Sequence, residues 1–417
     1  MITVQSREYF GGEFQLPGDK SITHRAVMLN GGAEGEATIT NALMGEDCLS
    51  TCECMRALGA KIEVDGTTLH VKGTPEFRSG EVLNCGNSGT TMRLLTGFVS
   101  GKGIEATLVG DASLSSRPMK RVAEPLSLLG ASVQTSDGHA PVKVLPAKLH
   151  GEQMNLKIAS AQVKSAILLA GISADGVTSV SEPVKSRDHT ERMLCAMGAK
   201  IQVNGNNVQV EKSQLSSVDV NVPADISSAS YFMALGALKG KTLCKNVGIN
   251  ATRTGILTAF DKLGVRYSLL NTRVSGGEET ADILVERSLM QGIVLTQEDI
   301  PAMIDELPLI ALMCAFADGE SRITGAKELR VKESDRIKTT CELIRNLGGD
   351  CEELEDGFII RGKKKLVGGK VDSYLDHRIA MTGAVGMIAS EQGGTILRPE
   401  CCAISFPDFF DKLGVKA

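Results

Sequence analysis

One short pattern recurs six times along the 417 residues. An apolar, helix-like run ends in Leu-Gly or Met-Gly and often leads into a strand-like run. The copies are MRALGAKIEVDG around Gly59, LSLLGASVQTSDG around Gly130, LCAMGAKIQVNG around Gly198, FDKLGVRYSLL around Gly264, IRNLGGDCEELEDG around Gly348 and FDKLGVKA around Gly414. They lie about 65 to 85 residues apart, farther than the usual solenoid periods. Each predicts a helix stopped by a glycine in the left-handed conformation. Asp65-Gly66, Asp137-Gly138, Asn204-Gly205 and Asp356-Gly357 follow as hairpin signals. Six such units are too many for one core, so two domains of three units are expected. The midpoint falls in VDVNVPADISSASYF, where Pro223 makes a break and Asp225 to Ser228 start a helix.

Composition narrows the partners. A net charge of −5 gives no general attraction to nucleic acid or to an anionic membrane. Tryptophan is absent and aromatics are scarce, which argues against a base-stacking surface. No segment approaches eighteen uninterrupted apolar residues, so no membrane span is expected. The opening MITVQSREYFGG has no apolar signal core, and a cytoplasmic protein is expected. The eleven cysteines read as free, mostly buried thiols. CLSTCEC (Cys48, Cys52, Cys54) lacks paired CxxC spacing and a nearby His, so no metal is expected there.

Several helix starts carry groups suited to anions. PGDKSITHRA begins at Pro17; Asp19 or Ser21 could cap a helix that presents Lys20, Ser21 and Arg25. It reads either as a solvated helix start or as an anion grip, and it is not a P-loop because the spaced first glycine is missing. NCGNSGTTMRLLTG places Asn87 and Gly89 before an apolar helix containing Arg93, a Gly-rich turn or a ligand approach. DASLSSRPMKR sets Arg117 at a loop-to-helix junction, suited to a carboxylate or phosphate, with Lys120 and Arg121 on a solvated face. SAQVKSAILLAG offers Ser160 and Gln162 at a helix start, a plain serine cap or a phosphate site. VSEPVKSRDHTERM adds Ser181, Lys185 and Arg187.

In the second half, IPAMIDELPLIALMCAFA sets Asp305 and Glu306 against an apolar helix, as helix-start charges or as a buried general base. KELRVKESDRIKTT gathers Arg330, Lys332, Glu333, Asp335 and Arg336, many of them explicable by surface i,i+4 pairing. YLDHRIAMTGAVGMIA starts an almost wholly apolar helix with Asp376, His377 and Arg378, so that charged end should face a cleft. Together these starts predict a cationic cleft between the halves for multiply anionic substrates. Asp305 and Glu333 are its expected proton-transfer carboxylates.

These segments, in order from PGDKSITHRA through GNSGTTMRLLTG, SLSSRPM, SAQVKSAILLAG, SRDHTE, DISSASYF, IDELP and RVKESDRI to DHRIAM, resemble those of the 5-enolpyruvylshikimate-3-phosphate synthases within the enolpyruvyl transferase family. The resemblance spans essentially the whole chain. It implies an α/β fold, a two-domain inverse α/β barrel with three βαβαββ-type repeats per domain. One domain would comprise residues 1–17 plus 224–417 and the other 18–223, with the active site in the cleft between them.

The implied reaction transfers the enolpyruvyl group of phosphoenolpyruvate to the 5-hydroxyl of shikimate 3-phosphate, releasing phosphate through a tetrahedral intermediate. No cofactor, no metal and no partner beyond the two substrates is implied, and the chain is expected to be a monomer. By resemblance Lys20 contacts both substrates and helps proton transfer, while Ser21 and Arg25 hold the shikimate carboxylate. Ser160, Ala161 through its N–H, Gln162, Ser181 and Arg187 form the shikimate-phosphate side. Asn87, Gly89, Arg117, Gln162, Arg336 and Arg378 grip phosphoenolpyruvate, with His377 beside them. Asp305 accepts the 5-hydroxyl proton, Glu333 serves the methylene carbon, and Lys332 bonds the shikimate side.

The chain departs from many relatives at Ile404, where they carry a lysine, at Ala161 for serine and at Glu328 for asparagine. Gly89 leaves room beside the phosphoenolpyruvate site, so inhibition by glyphosate is expected, with Gly89→Ala crowding inhibitor more than substrate. The sister transferase acting on UDP-N-acetylglucosamine usually carries a reactive cysteine before the residue matching Arg117. LVGDASLSSRPM has none. A non-catalytic anion-binding repeat protein would not need paired carboxylates in a cationic cleft.

Overall fold

The computed structural model describes residues 1–74, 76–275 and 277–415; the tail of the last repeat, Lys416 and Ala417, lies outside them. The chain divides into two compact units. A split unit comprises Met1–Pro17 and Pro223–Ala417, and an inserted unit comprises Gly18–Val222. Pro223 thus falls with the split unit.

The inserted unit is built from three four-stranded sheets with the same wiring. In one, Glu81–Asn84 pairs parallel with Ala106–Val109. That strand pairs antiparallel with His139–Leu145, the far arm of a hairpin whose near arm is Ser132–Ser136. Helices Gly89–Lys102 and Lys120–Leu128 lie between the strands in sequence, giving βαβαββ. The next sheet repeats this with Gln153–Asn155, Val177–Ser181, Ile201–Asn204 and Asn207–Glu211, with helices Ala161–Gly171 and His189–Ala196. The remaining repeat begins with helix Lys20–Gly31, so it has no strand before it in the unit. Val220–Asn221, at the far end of the unit, supplies that strand and pairs parallel with Ile39–Thr40.

The split unit follows the same plan. Phe10–Phe14 pairs parallel with Gly240–Gly248, and Val294–Leu295 with Glu320–Ile323, each followed by an antiparallel hairpin. In the last repeat Gly369–Asp372 pairs parallel with Gly394–Leu397, and Ile2–Val4 from the chain start supplies the antiparallel neighbour.

The repeated glycines explain the regularity. Gly59, Gly130, Gly198, Gly264, Gly348 and Gly414 all have φ between 66° and 113°, a region that side chains with a Cβ avoid. The apolar residue before each one is a buried plug: Leu58, Leu129, Met197, Leu263, Leu347 and Leu413. Each repeat therefore ends its second helix on a core contact, and in the first five the chain turns sharply into a strand.

The first helix of most repeats is apolar on all sides and central. All ten residues of Leu307–Phe316 and all thirteen of His377–Ala389 are buried, which an amphipathic helix could not tolerate. Close approach is built in at Gly97 of helix Gly89–Lys102, where a Cβ would stand 2.1 Å from the Ala166 carbonyl oxygen of helix Ala161–Gly171. The N-terminal ends of these central helices carry the polar groups described next.

Candidate functional site

In the inserted unit, Asp19 rather than Ser21 caps helix Lys20–Gly31, accepting from the Ile22 N–H at 2.9 Å. Lys20, the first helical residue, reaches Asp47 Oδ2 at 3.1 Å. Arg25, one turn on, is buried and donates from Nε to Thr190 Oγ1 at 2.6 Å, from Nη2 to Ser165 Oγ at 2.8 Å and from Nη1 to the Ser21 carbonyl at 3.0 Å. Its guanidinium ties three helices together beside Ser21. Arg187 Nη1 stands 3.5 Å from Ser21 Oγ.

Ser88 caps helix Gly89–Lys102. Gly89 is its first residue, and a Cβ there would meet Arg93 Nη1 at 3.0 Å and Arg117 Nη1 at 3.4 Å. Both guanidinium groups therefore lie over the start of this helix. Arg117 donates to Asn87 Oδ1 at 2.6 Å, and Asn87 donates to Asp111 Oδ2 at 2.7 Å. Gln162 bridges two helix starts, donating to Thr90 Oγ1 at 2.9 Å and accepting from Arg93 Nη1 at 2.6 Å. Ser160 caps helix Ala161–Gly171, so the Ala161 N–H occupies its first turn. Ser181 ends strand Val177–Ser181 and accepts from Asn207 Nδ2 at 2.7 Å. The helix starts named from the sequence are thus brought together in this unit, with cationic side chains over backbone N–H groups, an anion-binding arrangement.

In the split unit, Arg336 is the hub. It is 2 % exposed and begins helix Arg336–Asn346. Its Nε donates to Asp376 Oδ2 at 2.8 Å, its Nη2 to Glu333 Oε2 at 2.6 Å and its Nη1 to Asp305 Oδ1 at 3.4 Å. Burial opposes its charge, but Asp376, Glu333 and Asp305 outweigh that and hold its pKa above the ordinary arginine value. Lys332 Nζ also reaches Asp305 Oδ1, at 3.5 Å. Asp376 caps helix His377–Ala389 through the Arg378 N–H at 2.9 Å. Both His377 and Arg378 are buried. Burial likewise works against the Arg378 charge, and Tyr231, Asp305, Glu306 and Asp225 more than offset it. Tyr231 is pushed up to about 12 by burial, against the pull of Arg378. Glu306 is buried against Ser227, whose hydroxyl also accepts from Arg253 at 2.7 Å.

Arg330 points elsewhere: it pairs with Asp335 at 2.7 Å and Glu353 at 2.9 Å, neither of them at the i,i+4 spacing of a helix-surface pair. Ile404 is buried in the 3-10 helix Pro399–Ile404, and Glu328 lies in the 3-10 helix Lys327–Val331.

Sequence reading missed Asp47, Tyr231, Lys164 and Glu182. Lys164 interrupts an apolar helix, a signal that a buried charge needs partners. Asp47 carried no local signal, because its partner Lys20 lies far back along the chain, and the charge that pairs with Glu182, Lys164, sits on another element. The eleven cysteines are free, ten of them buried and Cys195 exposed. Among the described residues no helix is long and apolar enough to cross a membrane.

This architecture is that of the enolpyruvyl transferases. The chain superposes on the enolpyruvyl transferase NikO from Streptomyces tendae with a TM-score of 0.78, covering 100% of this chain and 97% of that one, and at 19% identity the likeness is one of fold. The family model of EPSP synthase (3-phosphoshikimate 1-carboxyvinyltransferase) matches residues 4–413, and the chain belongs to that family. It is 47% identical over 407 residues to the 3-phosphoshikimate 1-carboxyvinyltransferase of Desulforudis audaxviator, covering 95% of each chain. With the enzyme of that name from Bacillus cytotoxicus it shares 43% identity, covering 99% of each. An EPSP synthase structure from Acinetobacter baumannii matches at 41% identity with a TM-score of 0.88, covering 99% of this chain and 97% of that one.

Proposed function

We propose that this chain transfers the enolpyruvyl group of phosphoenolpyruvate to the 5-hydroxyl of shikimate 3-phosphate, releasing phosphate, as a cytoplasmic monomer. The observation that carries the proposal is the arrangement around Arg336: two partly exposed carboxylates, Asp305 and Glu333, share one buried permanent cation with the buried cap Asp376. Two carboxylates held by one fixed guanidinium are placed to accept and return protons.

In the addition step Asp305 takes the 5-hydroxyl proton as that oxygen bonds to C2 of phosphoenolpyruvate. The methylene carbon C3 gains a proton, with Glu333 and Lys20 serving it. The product is a tetrahedral ketal phosphate. In the elimination step the bond from C2 to the phosphate oxygen breaks, Glu333 removes a proton from C3, and the double bond re-forms on the transferred group. No electrons leave the substrates, so the reaction needs no redox partner.

Arg117, Arg336 and Arg378 hold the phosphate and carboxylate of phosphoenolpyruvate, with Asn87, Gly89, Gln162 and His377 around them. Ser160, Ala161, Gln162, Ser181 and Arg187 hold the phosphate of shikimate 3-phosphate; Ser21 and Arg25 hold its carboxylate, and Lys332 bonds the same substrate. The assignment divides the work, since turnover requires groups from both units. Room at Gly89 makes glyphosate an inhibitor in this reading.

The test is Glu333→Gln, which keeps size and hydrogen bonding but removes the proton acceptor. Turnover should fall by roughly 10²- to 10⁴-fold, while calorimetric binding of shikimate 3-phosphate stays near that of the parent. Parent-like turnover in this variant would refute the role given to Glu333.

A further inference from the structure

Lys164 lies one turn into helix Ala161–Gly171, with 1 % of its side chain exposed. Its ammonium is 2.8 Å from Glu182 Oε2 and 2.7 Å from Glu191 Oε1, two carboxylates that are equally enclosed. Burying three charges is expensive, and an apolar plug of the same volume would generally serve stability as well or better. The arrangement needs another reason, and the bonds of Glu182 supply one.

Glu182 follows Ser181 directly. Its carboxylate accepts from the Ser160 N–H at 3.0 Å, from the Ser186 N–H at 3.2 Å and from Ser186 Oγ at 2.6 Å. One enclosed carboxylate therefore fixes three chain segments at once: the loop that ends at Ser160, the strand end at Ser181, and the turn that carries Arg187. Lys164 in turn holds that carboxylate, from the same helix that carries Gln162. Ser160, Gln162, Ser181 and Arg187 are four of the five residues given above to the phosphate of shikimate 3-phosphate.

We propose that Glu182, clamped by Lys164, is the positioning residue of the shikimate 3-phosphate phosphate subsite: it touches no substrate but sets the spacing of Ser160, Ser181 and Arg187. The proposal rests on the function proposed above.

The experiment is steady-state kinetics on the full chain for Glu182→Gln and Ser186→Ala, with shikimate 3-phosphate binding measured separately by calorimetry without phosphoenolpyruvate. Glu182→Gln keeps the shape but puts an amide N–H₂ where only acceptors fit. The KM and Kd for shikimate 3-phosphate should rise roughly tenfold or more, as misplaced binding groups do. The KM for phosphoenolpyruvate should stay within about threefold of the parent.

Ser186→Ala leaves the three charges in place and removes one tie to the Arg187 turn. It should show the same split at smaller size, and it decides alone where Glu182→Gln does not fold. Both KM values rising together, or neither moving, would overturn the positioning role while leaving the enzyme assignment standing. A parent chain that neither binds nor turns over shikimate 3-phosphate would instead overturn the function on which the proposal rests.

Discussion

His24 sits fully enclosed on helix Lys20–Gly31, with Nδ1 2.7 Å from Thr51 Oγ1. Thr51 passes on to Thr91 at 2.7 Å, and Thr91 to Ser88, the cap of helix Gly89–Lys102, again at 2.7 Å. A buried imidazole thus closes a chain of hydroxyls between candidate site helices. Burial first, then Lys20 and Arg25, hold its pKa well below 6.5. The sign follows from linkage. The unfolded chain takes up a proton near pH 6.5 while the folded chain does not. This contribution is therefore complete above that pH and is lost as pH falls from 6.5 toward the folded pKa. Between pH 7 and 5.5 the parent should lose about 1 kcal/mol more stability than His24→Gln in urea unfolding. Equal losses would show that His24 takes up its proton in the folded state. At this scale the sequence marked the cations at helix starts well, because lysine and arginine beside a cap announce themselves. It was silent on Asp47 and Glu182, whose paired cations, Lys20 and Lys164, sit on other elements.

Helices in this protein do two separate jobs, and Asp376 shows how one residue joins them. Its carboxylate is fully buried, caps helix His377–Ala389 and grips Arg336 at the start of helix Arg336–Asn346. Removing it leaves a helix without its cap and a buried guanidinium without a main counter-charge. Asp376→Ala should cost about 3–5 kcal/mol in urea unfolding, whereas a loss below about 1 kcal/mol would mean that Arg336 is satisfied without it. Element boundaries were legible where a single residue type enforces them. The six stop glycines all take positive φ, and Asp137-Gly138 turns its hairpin with φ of 50° and 83°. The short edge strands Gln153–Asn155, Val220–Asn221 and Val294–Leu295 were not legible, since two or three residues carry no periodicity.

Across the molecule, the six-fold repeat was readable but its closure was not. In the last repeat the antiparallel neighbour of Gly394–Leu397 is Ile2–Val4, from the chain start. The chain passes between units at two strand-to-helix junctions, after Phe10–Phe14 and after Val220–Asn221. Local pattern cannot show that a strand belongs to a sheet completed two hundred residues later. The proposed chemistry is tested by turnover of the whole chain. The most direct measurement is phosphate release from phosphoenolpyruvate by the purified protein, with and without shikimate 3-phosphate. Release is expected only when both substrates are present. Release without shikimate 3-phosphate, or none with both substrates shown to bind, would contradict it.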